Sequence, residues 1–215
     1  MILNGKKLLL VDTGRKNKRK ILISRIDEYQ KNGYSLEGLI LTHTHFDHAE
    51  NAAALKERFE IPIFVHGNES VYLSRGENPP NRGTYFLTRC LMYLWEKKLK
   101  QYFRYEPAKF DYPVADKYNL DPFGFDAYLI HTPGHSQGSM SLIVDNEIAI
   151  VGDAMFGVFK WIVNPPFADD SKMMIRSWGK LLDTGCTVFL PSHGTANGRE
   201  LLEKQYNKYI NIYGF

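Results

Sequence analysis

Within six residues, His43-Thr44-His45-Phe46-Asp47-His48, the chain places three imidazoles and a carboxylate directly after an apolar run. Imidazole nitrogen and carboxylate oxygen suit zinc and other divalent transition metals, and catalytic sites commonly pair three protein ligands with an exchangeable water. In an extended loop His43 and His45 point the same way, because side chains alternate. Asp47 and His48 fall instead at the turn into the following segment, where they could face a second ion. Two ions roughly 3.5 to 4 Å apart acidify water and polarise a carbonyl, which is the chemistry of hydrolysis.

Such a cluster needs strands to position it, and several short apolar runs end in residues that bind metal or carry a proton. Leu8 to Val11 runs into Asp12, and Leu39 to Leu41 passes through Thr42 into His43. Tyr128 to Ile130 leads to His131 and His135. Ile148 to Val151 reaches Asp153 through Gly152, and Val188 to Leu190 reaches His193 through Pro191 and Ser192. As strands, these runs could gather their polar ends on one edge. Helices are expected over Ala49 to Phe59 and Ser171 to Leu182, and hairpins at Asn4-Gly5 and Asp145-Asn146. The alternation predicts an α/β sandwich.

At 215 residues the chain has room for one large domain carrying an insertion. Its 44% hydrophobic content supports a sizeable core and argues against disorder. No apolar run reaches the ~18 residues of a membrane span, so no membrane role and a cytoplasmic location are expected. Cys90 and Cys186 lack CxxC spacing and read as buried thiols. Arg15, Lys16, Lys18, Arg19 and Lys20 carry the basic surplus, which reads as a solvated loop, and no nucleic-acid partner is expected. The stretch 67–122 breaks the strand–helix rhythm and reads as a mostly helical insertion. Within it Leu87, Leu91, Leu94, Trp95, Leu99 and Tyr102 recur at helical spacing.

These motifs resemble the metallo-β-lactamase superfamily. His43-x-His45-x-Asp47-His48 matches its HxHxDH signature, Thr132-Pro133-Gly134-His135 its TPGH element and Gly152-Asp153 its GD element. Ser192-His193-Gly194 matches its last histidine turn and Asp12-Thr13-Gly14 its early DTG; together they cover roughly Leu8 to Gly194. The resemblance implies an αβ/βα four-layer sandwich, two β-sheets flanked by helices. It also implies two divalent ions, most readily Zn2+, with iron or manganese acceptable to the same donors. One ion would take His43, His45 and His135, the other Asp47, His48 and His193, with Asp153 bridging.

Asp47 would also orient the nucleophile and move its proton, and Asp12 would orient a ligand histidine. An aspartate at position 153, rather than cysteine, resembles the glyoxalase II (hydroxyacylglutathione hydrolase) branch more than the true β-lactamases. The implied function is hydrolysis of a small thioester, ester or lactone by hydroxide held between the metals. The alternatives are a mononuclear-iron oxidoreductase resembling persulfide dioxygenases and a metal-dependent phosphodiesterase.

The chain departs from that pattern at both ends. Only three residues precede Asn4-Gly5, so most of the family's first strand reads as missing, and an exposed edge there could pair in a homodimer. After His193, 22 residues remain, enough for one helix from about Gly198 to Tyr209, whereas glyoxalase II enzymes carry a longer helical segment that holds glutathione. The insertion is then the expected wall for a small-molecule substrate. Tyr72, Tyr85, Trp161 and Trp178 could line its mouth, and His66 and His131 read as structural.

Overall fold

A computed structural model describes residues 1–80, 82–85, 87, 88, 90 and 102–214. The chain forms two compact units. The first holds Met1–Pro79 and the described residues of 97–115 and 121–125; the second holds the described residues of 80–96, with 116–120 and 126–214.

The first unit is built on a mixed sheet of β1 (Ile2–Asn4), β2 (Lys7–Val11), β3 (Ser35–Ile40), β4 (Ile63–His66) and β5 (Tyr112–Val114), in that order. β1 and β2 form the expected hairpin at Asn4-Gly5, and β2 to β5 run parallel. Leu8–Leu10, Leu39–Leu41 and Ile63–Val65 are buried at every position, as expected of parallel strands covered on both faces. Leu10, Leu39, Leu41, Ile63 and Val65 share a core with Ile26 of α1 (Arg19–Lys31), Leu55 of α3 (Ala52–Phe59) and Leu73 of α4 (Gly67–Arg75).

The helix expected over 49–59 is divided into α2 (Phe46–Ala49) and α3. The division falls at Asn51, whose amide donates to the carbonyls of Thr13 (3.1 Å) and Gly14 (2.9 Å). Its backbone N–H also donates to Thr13 Oγ1 at 3.1 Å. Those bonds tie the turn after β2 to the end of the metal motif, so the backbone leaves the helical path there.

The second unit carries a sheet in the order β11 (Asn197–Gly198), β10 (Val188–Pro191), β9 (Ile148–Gly152), β8 (Met140–Val144), β7 (Ala127–His131), β6 (Lys117–Asn119). β9 and β10 are parallel, and β7 and β9 are each antiparallel to β8, so β7, β9 and β10 all run in one direction. The expected hairpin between β8 and β9 closes with Asp145 and Asn146 both in the left-handed region. α5 (Ser171–Asp183) is capped by Asp170, whose carboxylate accepts from Met173 N at 3.0 Å, and buries Met174, Ile175, Trp178 and Leu181 on one face. α6 (Arg199–Tyr213) adds Leu202 to the same core.

Two mixed sheets flanked by helices are therefore present. The span 67–122 supplies α4 and also one strand to each sheet, β5 and β6. Leu87 and Tyr102 are exposed, while Leu91, Leu94, Trp95 and Leu99 of the expected amphipathic helix lie outside the described residues. Cys186 is buried as expected and its thiol is pushed up by burial, but Cys90 is exposed, correcting the reading of both thiols as core groups. The basic run is not a loop: Lys16–Lys18 form a 3-10 turn and Arg19 begins α1. Its charge is partly countered, with Arg15 3.5 Å from Glu50 and Arg19 3.8 Å from Glu106.

Candidate metal centre

The candidate ligands lie past the C-terminal ends of strands, in the turns that follow or, for Asp47 and His48, in the short helix after one. In the first unit His43 follows β3, His45 is the residue before α2, and Asp47 and His48 lie within α2. His43, His45 and His48 are buried and Asp47 is half-buried. His43 offers a ring nitrogen within 4.8 Å of one on His45 and of one on His48, and Asp47 Oδ1 lies 3.9 Å from His48 Nε2.

Asp12, at the end of β2, organises these rings. Its Oδ1 accepts from Thr42 N (2.8 Å), and its Oδ2 is 2.8 Å from both Thr42 Oγ1 and His48 Nδ1. A carboxylate accepts, so His48 carries its proton on Nδ1 and its lone pair on Nε2. Thr42 spends its hydroxyl proton on Asp12, which leaves its oxygen to accept from His43 Nδ1 at 3.1 Å. One carboxylate thus fixes the tautomer of two histidines, His48 directly and His43 through Thr42. The expectation for Asp12 covered one histidine; Thr42 as a relay carried no motif signal.

In the second unit His135 lies in the turn between β7 and β8, Asp153 follows β9 and His193 follows β10. The carbonyl of Phe167 can only accept, so the 2.9 Å contact makes His135 Nδ1 the donor and directs the lone pair to Nε2. That Nε2 lies 3.7 Å from Asp153 Oδ2, and His193 Nε2 lies 3.5 Å from the same oxygen. Gly134 makes this turn possible: its φ is 132°, and a Cβ there would stand 2.2 Å from Met174 N. His43 and His48 in the first unit, and His135, His193 and the Asp153 carboxylate in the second, offer the imidazole nitrogen and carboxylate oxygen that suit divalent transition metals.

The remaining candidates sort on burial and bonding. His66 accepts from Asn68 N at 3.1 Å and caps α4, and His131 Nε2 lies 3.0 Å from Gln137 O, so both have structural contacts. Trp178 is fully buried and donates to Ala154 O at 2.7 Å, a core role, whereas Trp161 is 71% exposed and Tyr85 is exposed. Tyr72 is half-buried. Glu69, Asn78 and Tyr105, which contact the metal loop, were not among the residues expected from sequence.

The sequence profile of the metallo-beta-lactamase superfamily matches residues 1–193. The chain belongs to the metallo-beta-lactamase superfamily. It is 30% identical over 161 residues to a probable metallo-hydrolase of Methanocaldococcus jannaschii, covering 73% of this chain and 68% of that protein. It is 28% identical over 210 residues to the hydroxyacylglutathione hydrolase GloC of Haemophilus influenzae, covering 96% and 88%. Matches to probable metallo-hydrolases of Bacillus subtilis and Streptococcus pyogenes span only 56% and 60% of those proteins.

Among solved structures, the BLEG-1 B3 metallo-beta-lactamase aligns with a TM-score of 0.65 at 18% identity, over 94% of this chain and 87% of that one. The di-iron-bound form of TTHA1623 aligns with a TM-score of 0.59 at 21% identity, over 90% and 85%. At such identities the structural likeness establishes the fold alone. The named relatives are probable metallo-hydrolases and a hydroxyacylglutathione hydrolase, in keeping with the resemblance to the glyoxalase II-like branch. Among the described residues, no helix is long and apolar enough to cross a membrane.

Proposed function

We propose that this metallo-beta-lactamase superfamily member is a dinuclear hydrolase of a small thioester, ester or lactone, with Zn2+ the first candidate metal. His43, His45 and His135 would hold one ion, Asp47, His48 and His193 the other, and Asp153 would touch both. The observation that carries the reading is Asp153 Oδ2, which lies 3.7 Å from His135 Nε2 and 3.5 Å from His193 Nε2, as a shared carboxylate requires. When bound, such a pair of ions acidifies water and polarises the scissile carbonyl.

The chain's own residues do the rest. Asp12, Thr42 and the Phe167 carbonyl leave the lone pairs of His48, His43 and His135 on Nε2 before any ligand arrives, so no tautomer change is needed for binding. Asp47, half-buried at the start of α2, has a carboxylate able to take a proton from the attacking water and return it to the leaving group. A thioester is the first substrate class to test, because GloC, aligned over 88% of its length, is named a hydroxyacylglutathione hydrolase. The di-iron form of TTHA1623 makes iron the second metal to test. A soluble small-molecule substrate and a cytoplasmic setting belong to this proposal.

The deciding experiment is metal content per chain on protein purified without added metal, with hydrolysis assays on thioesters, esters, lactones and phosphodiesters. Two ions with chelator-sensitive thioester, ester or lactone cleavage is the expected result. One ion, or phosphodiester cleavage alone, would overturn the proposal.

A further inference from the structure

The metal motif runs as a loop from Thr42 to His45 and enters α2 at Phe46, and three of its backbone donors go to side chains. Thr42 N–H donates to Asp12 Oδ1 (2.8 Å), Thr44 N–H to Glu69 Oε2 (2.9 Å) and Phe46 N–H to Asn78 Oδ1 (2.8 Å). These three residues alternate with the candidate ligands His43, His45 and Asp47; the motif's fourth candidate, His48, lies within α2, where its backbone N–H donates to His45 O at 2.9 Å. From Thr42 to Phe46 the chain is therefore held on alternate residues, and His43 and His45 lie between the held ones. Thr44 is held most completely. Its hydroxyl also donates to Glu69 Oε2, and its carbonyl accepts from Tyr105 Oη at 2.8 Å. Thr44 and Glu69 are both fully buried.

Glu69 sits in the first turn of α4, and Asn78 and Tyr105 follow in the same 67–122 span. Tyr105 N donates to Gly76 O (3.0 Å) and Ala108 N to Leu73 O (3.1 Å), so the later part of the span is fastened to α4. From this juxtaposition we infer that Glu69, Asn78 and Tyr105 are positioning residues for the metal loop. They act through Thr44 and Phe46 and set the spacing of His43, His45 and Asp47. The span expected from sequence to serve as a substrate wall is thus assigned a different task, preorganising the metal ligands. A carboxylate suits Thr44 because one oxygen accepts from a backbone N–H and a hydroxyl at once, and charge-assisted bonds are about twice as strong as neutral ones.

The inference rests on the metal-centre reading, and its test separates the two. Zn2+ competition titrations and visible spectra of the Co2+-loaded full-length protein would be compared for wild type, Glu69→Gln, Thr44→Val and the double variant. The expected result is two ions in wild type, and roughly 10-fold weaker binding of one of them, with an altered Co2+ spectrum, in Glu69→Gln. The double variant should be no worse than the worse single one, because the two side chains act through one contact. A purely structural Glu69 would lower the melting temperature but leave affinities and spectrum unchanged, and that outcome overturns the inference alone. Wild type that binds no ion overturns the metal reading and the inference together. If Glu69→Gln does not fold, Tyr105→Phe and Asn78→Ala carry the same comparison.

Discussion

Asp12 holds two histidines with one carboxylate, and that sharing gives it a testable signature. Its φ of 53° lies in the left-handed region, which Asn tolerates nearly as well as Asp. Asp12→Asn should therefore keep the turn but lose the charged acceptor for His48 and Thr42. Affinity for both ions should drop, each by roughly 10- to 100-fold. Thr42→Val, which breaks only the relay to His43, should weaken one ion and spare the other. Metal titration of the two variants checks this, and an Asp12→Asn protein that loses a single ion would contradict the hub. The candidate ligands at 43–48 could be named from the sequence, because their spacing is short and their chemistry unusual. Thr42, Glu69 and Tyr105 were not: Glu69 and Tyr105 lie 25 and 61 residues from Thr44, and no local pattern announces such pairs.

At the scale of elements, the strand ends were readable because apolar runs stop where polar ligands begin. The break at Asn51 was not, since its cause is a contact with Thr13 and Gly14 on a different turn. β5 and β6 span three residues each, and β5 contains Pro113, so neither offers a period to read. The segment after β9 meets the turn after β10 through Gly157, whose N–H donates to His193 O (2.8 Å) and whose carbonyl accepts from Thr195 N (2.9 Å). A Cβ on Gly157 would lie 1.9 Å from Thr195 O, so this approach requires glycine. Gly157→Ala should displace the His193 turn and cost about 1–3 kcal/mol, as overpacking does. Its metal defect should fall on the ion that His193 serves. Urea melts and metal content would test it; wild-type values for both would show that the turn yields without moving His193.

For the whole molecule, the buried weak acids make a statement about alkaline pH. Burial raises the pKa of Tyr105, Tyr128 and Tyr209 above the ordinary 10.0 and of Cys186 above 9.0. The folded state then keeps protons that the unfolded chain gives up, so stability from these groups is intact below about pH 9 and declines as pH rises past 9 to 10. Thermal melts from pH 8 to 11 should show a falling midpoint, and Tyr105→Phe should lessen the fall. A flat profile would mean these groups ionise as readily folded as unfolded.

Metal removal tests the largest scale. Ions that bind the folded chain stabilise it by mass action, by about 2.7 kcal/mol for each ion present at 100 times its dissociation constant. Chelation should therefore lower the melting midpoint of the loaded protein, and restored Zn2+ should bring it back. Differential scanning calorimetry of loaded, chelated and reloaded protein checks this, and a midpoint unchanged by chelation would sink the dinuclear centre, whatever the protein hydrolyses.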